Sequence, residues 1–315
     1  MNLNEFSGSD KIYSTPYEAL VFRKMAAFVF LVSILCGFTF PNEAKAESTH
    51  EKRPVVFVSI PPIKYLVDRI GSPYFDVFEL LPPGRDPHTF DPTPQTIAKL
   101  SQAKLFFKTG FPFEETLLQK VKSINPDLLV VDTRQGVELL EMEDWGDHHE
   151  DHDNWDPHTW LDPLNAKIQA RLIQQSLKQL DPEHAPKFES ALKEMEIDLD
   201  SLDEQLRISL KPFEGKPFFV YHPAYGYFAH RYGLKQMPVQ MSGKEPSAKQ
   251  LRSIVDSAKS DGVKVIFVQP QFFSKSAQTL ANSVGAVIVP MNDLAYDYIN
   301  NLRDVSQEIQ RALKN

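Results

Sequence analysis

The sequence predicts an α/β protein made of two parallel-sheet α/β domains joined by one long rigid helix. Three observations lead there. Short β-branched or aromatic runs alternate with helical patterns up to about residue 131, which is the mark of parallel strands with helical crossovers. The same alternation starts again at Pro217. Between the two, Phe188, Leu192, Met195, Leu199, Leu202 and Leu206 recur at three- and four-residue steps, the period of an amphipathic helix.

Taken in order, Val55–Ser59 reads as a buried strand, and Ile63–Ile70 as a helix stopped by Gly71. Asp76–Leu81 is a second strand. From Leu81 to Pro94 one histidine, His88, stands among five prolines and a glycine. Each proline fixes φ near −65° and restricts the residue before it, so this stretch is a stiff loop that holds a side chain at low entropic cost. Thr93 can cap a helix opening at Pro94. Leu105–Phe107 and Leu128–Val131 are strands around a helix over Phe113–Val121. Asp162-Pro163 opens a helix to Leu180, and Asp181-Pro182 opens the long one, ending near Leu210. That run of about 29 residues spans roughly 43 Å, and a second α/β pattern follows directly, so it reads as an interdomain strut.

Pro217–Tyr221 is then a strand with His222 at its end, and a helix begins at Pro223 and stops at Gly233. Helices over Ser247–Ser260 and Ser274–Val284 alternate with strands over Val263–Val268 and Ala286–Val289. Asp293 lies just beyond the last strand, and Ala295–Leu313 is the closing helix. The expected division is an N-terminal domain over 54–181, a linking helix over 182–211 and a C-terminal domain over 216–315.

The 315 residues carry a formal charge of −8, with 42% hydrophobic and 24% charged residues. A globular chain of that charge, with no basic patch, argues against a nucleic-acid partner and suits a cation. The one cysteine, Cys36, excludes an internal disulfide and a thiolate metal cage. Residues 23–46 have the layout of a secretory signal: Arg23 and Lys24, an apolar run over Ala26–Phe40, then Ala44-Lys45-Ala46. The apolar run is about 15 residues, short of the roughly 20 that a spanning helix needs. Residues 1–46 are thus a signal peptide with an upstream extension, Met25 is an alternative start, and the exported chain begins near Glu47. Leu35 stands before Cys36 where lipid attachment calls for a small residue.

The chemistry gathers in a repeated motif. Asp86-Pro87-His88-Thr89-Phe90 recurs as Asp156-Pro157-His158-Thr159-Trp160, two stiff loops that can aim two imidazoles at one point. Ligands of open parallel sheets bind outside the carboxyl ends of strands, where His88, His222 and Asp293 are expected. Three imidazoles and one carboxylate make a four-coordinate site of borderline hardness, which suits Zn²⁺. The groups come two from each half, so the metal site is expected in the interdomain cleft. Histidines must be neutral to bind, so affinity is expected to fall as pH drops through about 6.5. The acidic run over 141–156 carries His148, His149 and His152 and reads as a flexible accessory cation collector or a solvated acidic linker. His184 is expected to be solvated, and His50 lies near the new N-terminus. His230 follows His222 by eight residues, about 12 Å along the expected helix, too far to share an ion.

Pro83-Gly84-Arg85-Asp86-Pro87-His88, the run from Asp156 to Pro163, His222 to Phe228, Tyr232 to Leu234 and Glu245 to Ser247 together resemble the metal-binding family of periplasmic solute-binding proteins, which feed zinc or manganese to ABC importers. The resemblance covers nearly all of the mature chain. It implies metal ligands at His88, His158, His222 and Asp293, a place in the periplasm, a membrane ABC permease as partner, a monomer and no catalysis. Histidine at 222, where manganese-dedicated members have glutamate, points to Zn²⁺, with Mn²⁺ as the alternative cargo. Two positions depart from the family pattern: no proline follows Asp293, and Gln269 stands where many relatives have glutamate. A surface adhesin, a role of some relatives, would need an anchor. A zinc-dependent hydrolase would need an open metal position for water, and no His-Glu-x-x-His arrangement supplies its base.

Overall fold

A computed structural model describes residues 53–142, 155–240, 246–273 and 275–314. The signal-like segment, the accessory histidines His148, His149 and His152, and Glu245 lie outside the described residues. In the first half, strands β1 (Val55–Val58), β2 (Asp76–Glu79), β3 (Leu105–Lys108) and β4 (Leu129–Asp132) alternate with helices α1 (Pro61–Gly71), α2 (Pro94–Leu100) and α3 (Pro112–Lys122). All pairings are parallel, in the order β2-β1-β3-β4, and Val56 stands opposite both Val77 and Leu105. Each of the three helices opens on a proline, and Thr93 Oγ1 accepts from Thr96 N to cap α2. A proline there gives up an N–H that would have no partner inside the helix.

Helices α4 (Pro163–Leu180) and α5 (Ala185–Leu210) form an antiparallel pair. The strut α5 has 26 residues, starting three residues later than Pro182. Asp181 accepts from His184 N at 3.3 Å and faces His184 Nδ1 at 2.7 Å, which holds Asp181–His184 as a turn instead of helix. His184 is half-buried, solvated on one side while its ring stacks on Tyr74 at 3.9 Å. Phe188, Met195, Leu199, Leu202 and Leu206 are buried as the periodicity predicts, and Leu192 is partly buried against the same core.

The second half repeats the plan. Strands β5 (Pro217–Val220), β6 (Lys235–Pro238), β7 (Val265–Val268) and β8 (Val287–Pro290) alternate with α6 (Gly226–Tyr232), α7 (Ala248–Ser260) and α8 (Lys275–Val284), and α9 (Tyr298–Lys314) closes the chain. The parallel order is β6-β5-β7-β8. Strand β6 was not readable as one, because Lys-Gln-Met-Pro lacks β-branched residues. It is an edge strand, where a proline is tolerated, and Val239 N bonds Val220 O just past its end at 2.9 Å.

Helix α5 lies against α1 and α4 on one side and α6 and α9 on the other. One apolar cluster therefore runs from Val56 and Leu66 through Leu199 and Leu206 to Phe218, Phe228 and Leu302. A second cluster, with Phe219, Ile266, Ile254 and Leu280, covers the opposite face of the second sheet. Adjacent Phe218 and Phe219 fall in different clusters because successive strand side chains point to opposite faces. Ion pairs Arg69–Asp198 at 2.7 Å and Arg231–Asp203 at 2.7 Å tie α5 to α1 and to α6. No helix among the described residues is long and apolar enough to cross a membrane.

Candidate metal centre

Both strand orders reverse direction at their centre, between β1 and β3 and between β5 and β7. Such a reversal opens a crevice at the carboxyl ends of the strands. His222 follows β5 by two residues, and His88 sits in the loop from β2 to α2. His158 enters the short 3₁₀ turn Thr159–Leu161 that leads into α4. The two Asp-Pro-His segments fold alike. His88 N donates to Asp86 Oδ1 at 2.9 Å, and His158 N donates to Asp156 Oδ1 at 2.9 Å. Each aspartate closes its own turn through the backbone N–H two residues on.

The three imidazoles converge. His88 Nε2 lies 3.1 Å from His222 Nε2, and His222 Nε2 lies 3.4 Å from His158 Nε2. One ligand atom from each residue falls within 4.8 Å of the others. The far nitrogens set the tautomers. His158 Nδ1 meets Asp156 Oδ1 at 2.6 Å, and His222 Nδ1 meets Gln240 Oε1 at 3.1 Å. Neither oxygen can donate, so each Nδ1 carries a proton and Nε2 is the nitrogen left to present a lone pair to the centre in the metal-binding tautomer. His88 can donate to one of them and leaves the other lone pair facing no proton. A donor set that crowds lone pairs in this way is suited to a cation.

The surroundings keep His88 and His222 neutral. Burial, with repulsion from the neighbouring His158 added to it, pushes the His88 pKa down to about 3. Burial also pushes His222 well below its usual range, with His88 and His158 adding repulsion and the Gln240 bond opposing. Phe111 meets the His88 ring edge-on at 5.2 Å, and Phe272 stacks on His222 at 4.6 Å. Phe111 is set by the loop before it, whose Thr109 and Gly110 amides donate to the buried Glu114 carboxylate at 2.8 and 2.7 Å.

Asp293 is buried, but it does not join the cluster of three histidines. Gln271 Nε2 donates to its Oδ1 at 2.9 Å, and Trp160 Nε1 donates to its backbone oxygen at 2.8 Å. Burial raises the Asp293 pKa, while the field of His158 and the Gln271 bond pull it down, so the carboxylate lies within electrostatic reach of the imidazoles. Among the described residues, then, the structure brings His88, His158 and His222 together and leaves Asp293 as their buried neighbour. His230 is exposed and His222 precedes α6 rather than sitting on it. The two therefore do not share a helix.

Several positioning groups had no separate signal in the residues. Gln269 clasps the His222 peptide, accepting from its N at 3.3 Å and donating to its O at 2.8 Å. A glutamate there could not donate to that carbonyl unless protonated. Asp156 was legible as part of the repeat, but not its second role on the His158 ring. Tyr227 pins the segment before it, accepting from Leu140 N at 3.0 Å and donating to Asp156 O at 3.2 Å. Gly226 makes room, since a Cβ there would stand 2.6 Å from Asp156 Oδ2.

Known proteins resemble this chain along most of its length. The family model described as "ZnuA: Zinc-uptake complex component A periplasmic" matches residues 56–312. The high-affinity zinc uptake system protein ZnuA of Bacillus subtilis (strain 168) is 33% identical over 279 residues, covering 85% of this chain and 86% of that protein. A crystal structure of ZnuA superposes with a TM-score of 0.77 at 36% identity, covering 82% of this chain and 99% of that one. A ZnuA deletion mutant with zinc bound gives a TM-score of 0.76 at 36% identity, covering 82% and 98%. With nearly all of both sheets and the three histidine loops inside the matched residues, the chain belongs to the family of zinc-uptake complex component A, periplasmic.

Proposed function

We propose that this chain captures Zn²⁺ in the crevice between its two sheets and delivers it to a membrane ABC permease from the periplasm. The observation that carries the reading is the convergence of three imidazole nitrogens from three separate loops. Their donor type suits Zn²⁺, and the burial that lowers the His88 and His222 pKa values keeps protons from competing at those two. Asp293 supplies the fourth ligand from its buried place beside His158. That closes the shell with protein groups and leaves no position for an activated water, so the protein binds and does not catalyse.

In this reading the two lobes are residues 54–181 and 216–315, each with its own sheet, and 182–211 links them. The protein works as a monomer, without nucleic acid. Residues 1–46 direct export and are cleaved. His148, His149 and His152 form an accessory collector, distinct from the main site because all three converging histidines lie elsewhere in the chain. Histidine at 222 favours Zn²⁺ over Mn²⁺ as cargo.

Calorimetric titration of metal-free protein with Zn²⁺, using a competing chelator, tests this. One tight site is expected, lost in His88→Ala and His222→Ala and kept in His184→Ala and His230→Ala. A tight site that survives His222→Ala would overturn the assignment.

A further inference from the structure

The 3₁₀ turn Pro270–Phe272, which leaves β7, touches both groups that the second half contributes. Phe272 stacks on the His222 ring, and Gln269 just before the turn holds the His222 peptide. Gln271 holds Asp293 through the bond from Nε2 to Oδ1. The carboxylate can only accept, so the amide must present its NH₂ group to it.

We propose that Gln271 is a positioning residue that confines Asp293 to ligation through one oxygen, and so sets the preference of the site for Zn²⁺ over Mn²⁺. The inference rests on the capture function proposed above. With Oδ1 bound to Gln271, Asp293 offers Oδ2 to an ion. Two-oxygen chelation would need both oxygens turned to the metal, and the Gln271 bond opposes it by occupying one lone pair of Oδ1 and fixing the rotation of the carboxylate. Three imidazole nitrogens and one oxygen make four donors, the number that Zn²⁺ takes in closed protein sites. Mn²⁺ prefers more donors and more oxygen. A carboxylate free to chelate would add a fifth donor, an oxygen, and would favour Mn²⁺.

The position of Gln271 suits this role. Asp293 is buried and hemmed in by the Trp160 bond to its backbone, so its side chain depends on few partners. Gln271 is half-buried and lines a cavity of about 510 Å³ whose wall includes Lys64, Leu81 and Pro82 of the first half and Pro270 and Tyr296 of the second. A side chain of the same length without a donor therefore fits there without disturbing a core.

The test compares the wild type with Gln271→Met and Gln271→Leu, each first checked for unchanged thermal unfolding without metal. Two readouts are taken: the visible absorption of the Co²⁺-loaded protein, whose intensity reports coordination number, and the ratio of Zn²⁺ to Mn²⁺ affinity from chelator competition. The wild type is expected to show the intense bands of a four-coordinate ion, and both variants weaker bands of higher coordination. The affinity ratio should fall by about tenfold or more, the factor that a hydrogen bond to a charged group is worth. An unchanged spectrum and ratio in both variants would overturn the proposal. So would equal weakening of both metals, which would mean that Gln271 only supports the fold. A wild type that takes up neither ion sinks the capture function itself, a result separable from an unchanged ratio in a protein that binds.

Discussion

Asp156→Ala removes the one oxygen that holds both the backbone and the ring of His158. Asp156 Oδ1 accepts from His158 N at 2.9 Å and from Nδ1 at 2.6 Å, and the carboxylate is buried. Losing the tautomer preference alone would halve the population with a free Nε2, about 0.4 kcal/mol. Losing the orientation and basicity that a carboxylate gives a metal-bound imidazole costs more, about 10- to 100-fold in affinity, or about 1.4–2.7 kcal/mol. The second effect should therefore dominate, and a chelator-competition titration at pH 7.5 should show Zn²⁺ binding weakened within that range. Gly226→Ala approaches the same contact from the other side, because its Cβ would stand 2.6 Å from Asp156 Oδ2 and must displace the carboxylate. It should weaken Zn²⁺ binding in the same direction. In the double variant the two losses should not add, because both act through one carboxylate. A Zn²⁺ affinity within threefold of wild type in Asp156→Ala, or full additivity with Gly226→Ala, would refute the role given to Asp156.

Gln240→Leu removes the acceptor of His222 Nδ1 and should weaken Zn²⁺ binding by about tenfold, measured by the same competition. Tyr227→Phe deletes the hydroxyl that joins Leu140 to Asp156; urea unfolding of the metal-free protein should show a loss of about 1–2 kcal/mol. Saturating Zn²⁺ should raise the stability of the wild type by about 4 kcal/mol at a thousandfold excess over Kd, seen as a rise in Tm, and should leave His222→Ala nearly unmoved.

Much of the fold was legible because period and punctuation agreed along most of the chain. Val55–Val58 and Pro217–Val220 carried strand composition, and the α5 stripe carried the helical period. What failed did so for local reasons. Strand β6 is stabilised by β5 rather than by its own residues, and the first residues of the expected strut are held in a turn by Asp181. The expected closing helix starts at Tyr298 instead of Ala295, since Leu294 N bonds the Asn292 side chain at 2.9 Å and the chain turns there. The three histidines were legible because their loops are stiffened by residues adjacent in sequence. Asp293 was placed near them, but its tie to Gln271 depends on the β7 turn, which sequence distance does not reveal.

The proton affinity of the site marks the limit of reasoning from residue type. A free imidazole titrates near 6.5, and on that basis Zn²⁺ affinity should decline through that pH. In the folded protein burial and the mutual repulsion of the imidazoles hold His88 at about 3 and His222 well below the usual range. The unfolded chain binds protons below about 6.5 that these two groups refuse when folded, so their contribution to stability is intact above that pH and is lost as pH falls toward 3. At pH 5 the His88 shift alone costs the metal-free protein about 2 kcal/mol, and the His222 shift adds to it in the same direction. The same shift changes binding. Three ordinary imidazoles would release about two protons per Zn²⁺ at pH 6. Here His88 and His222 have none to give, so calorimetry in buffers of different ionisation enthalpy should find no more than about one. A count of two or more would show that the crevice leaves its imidazoles as basic as free ones, and the stability loss between pH 6.5 and 5 should then vanish with it.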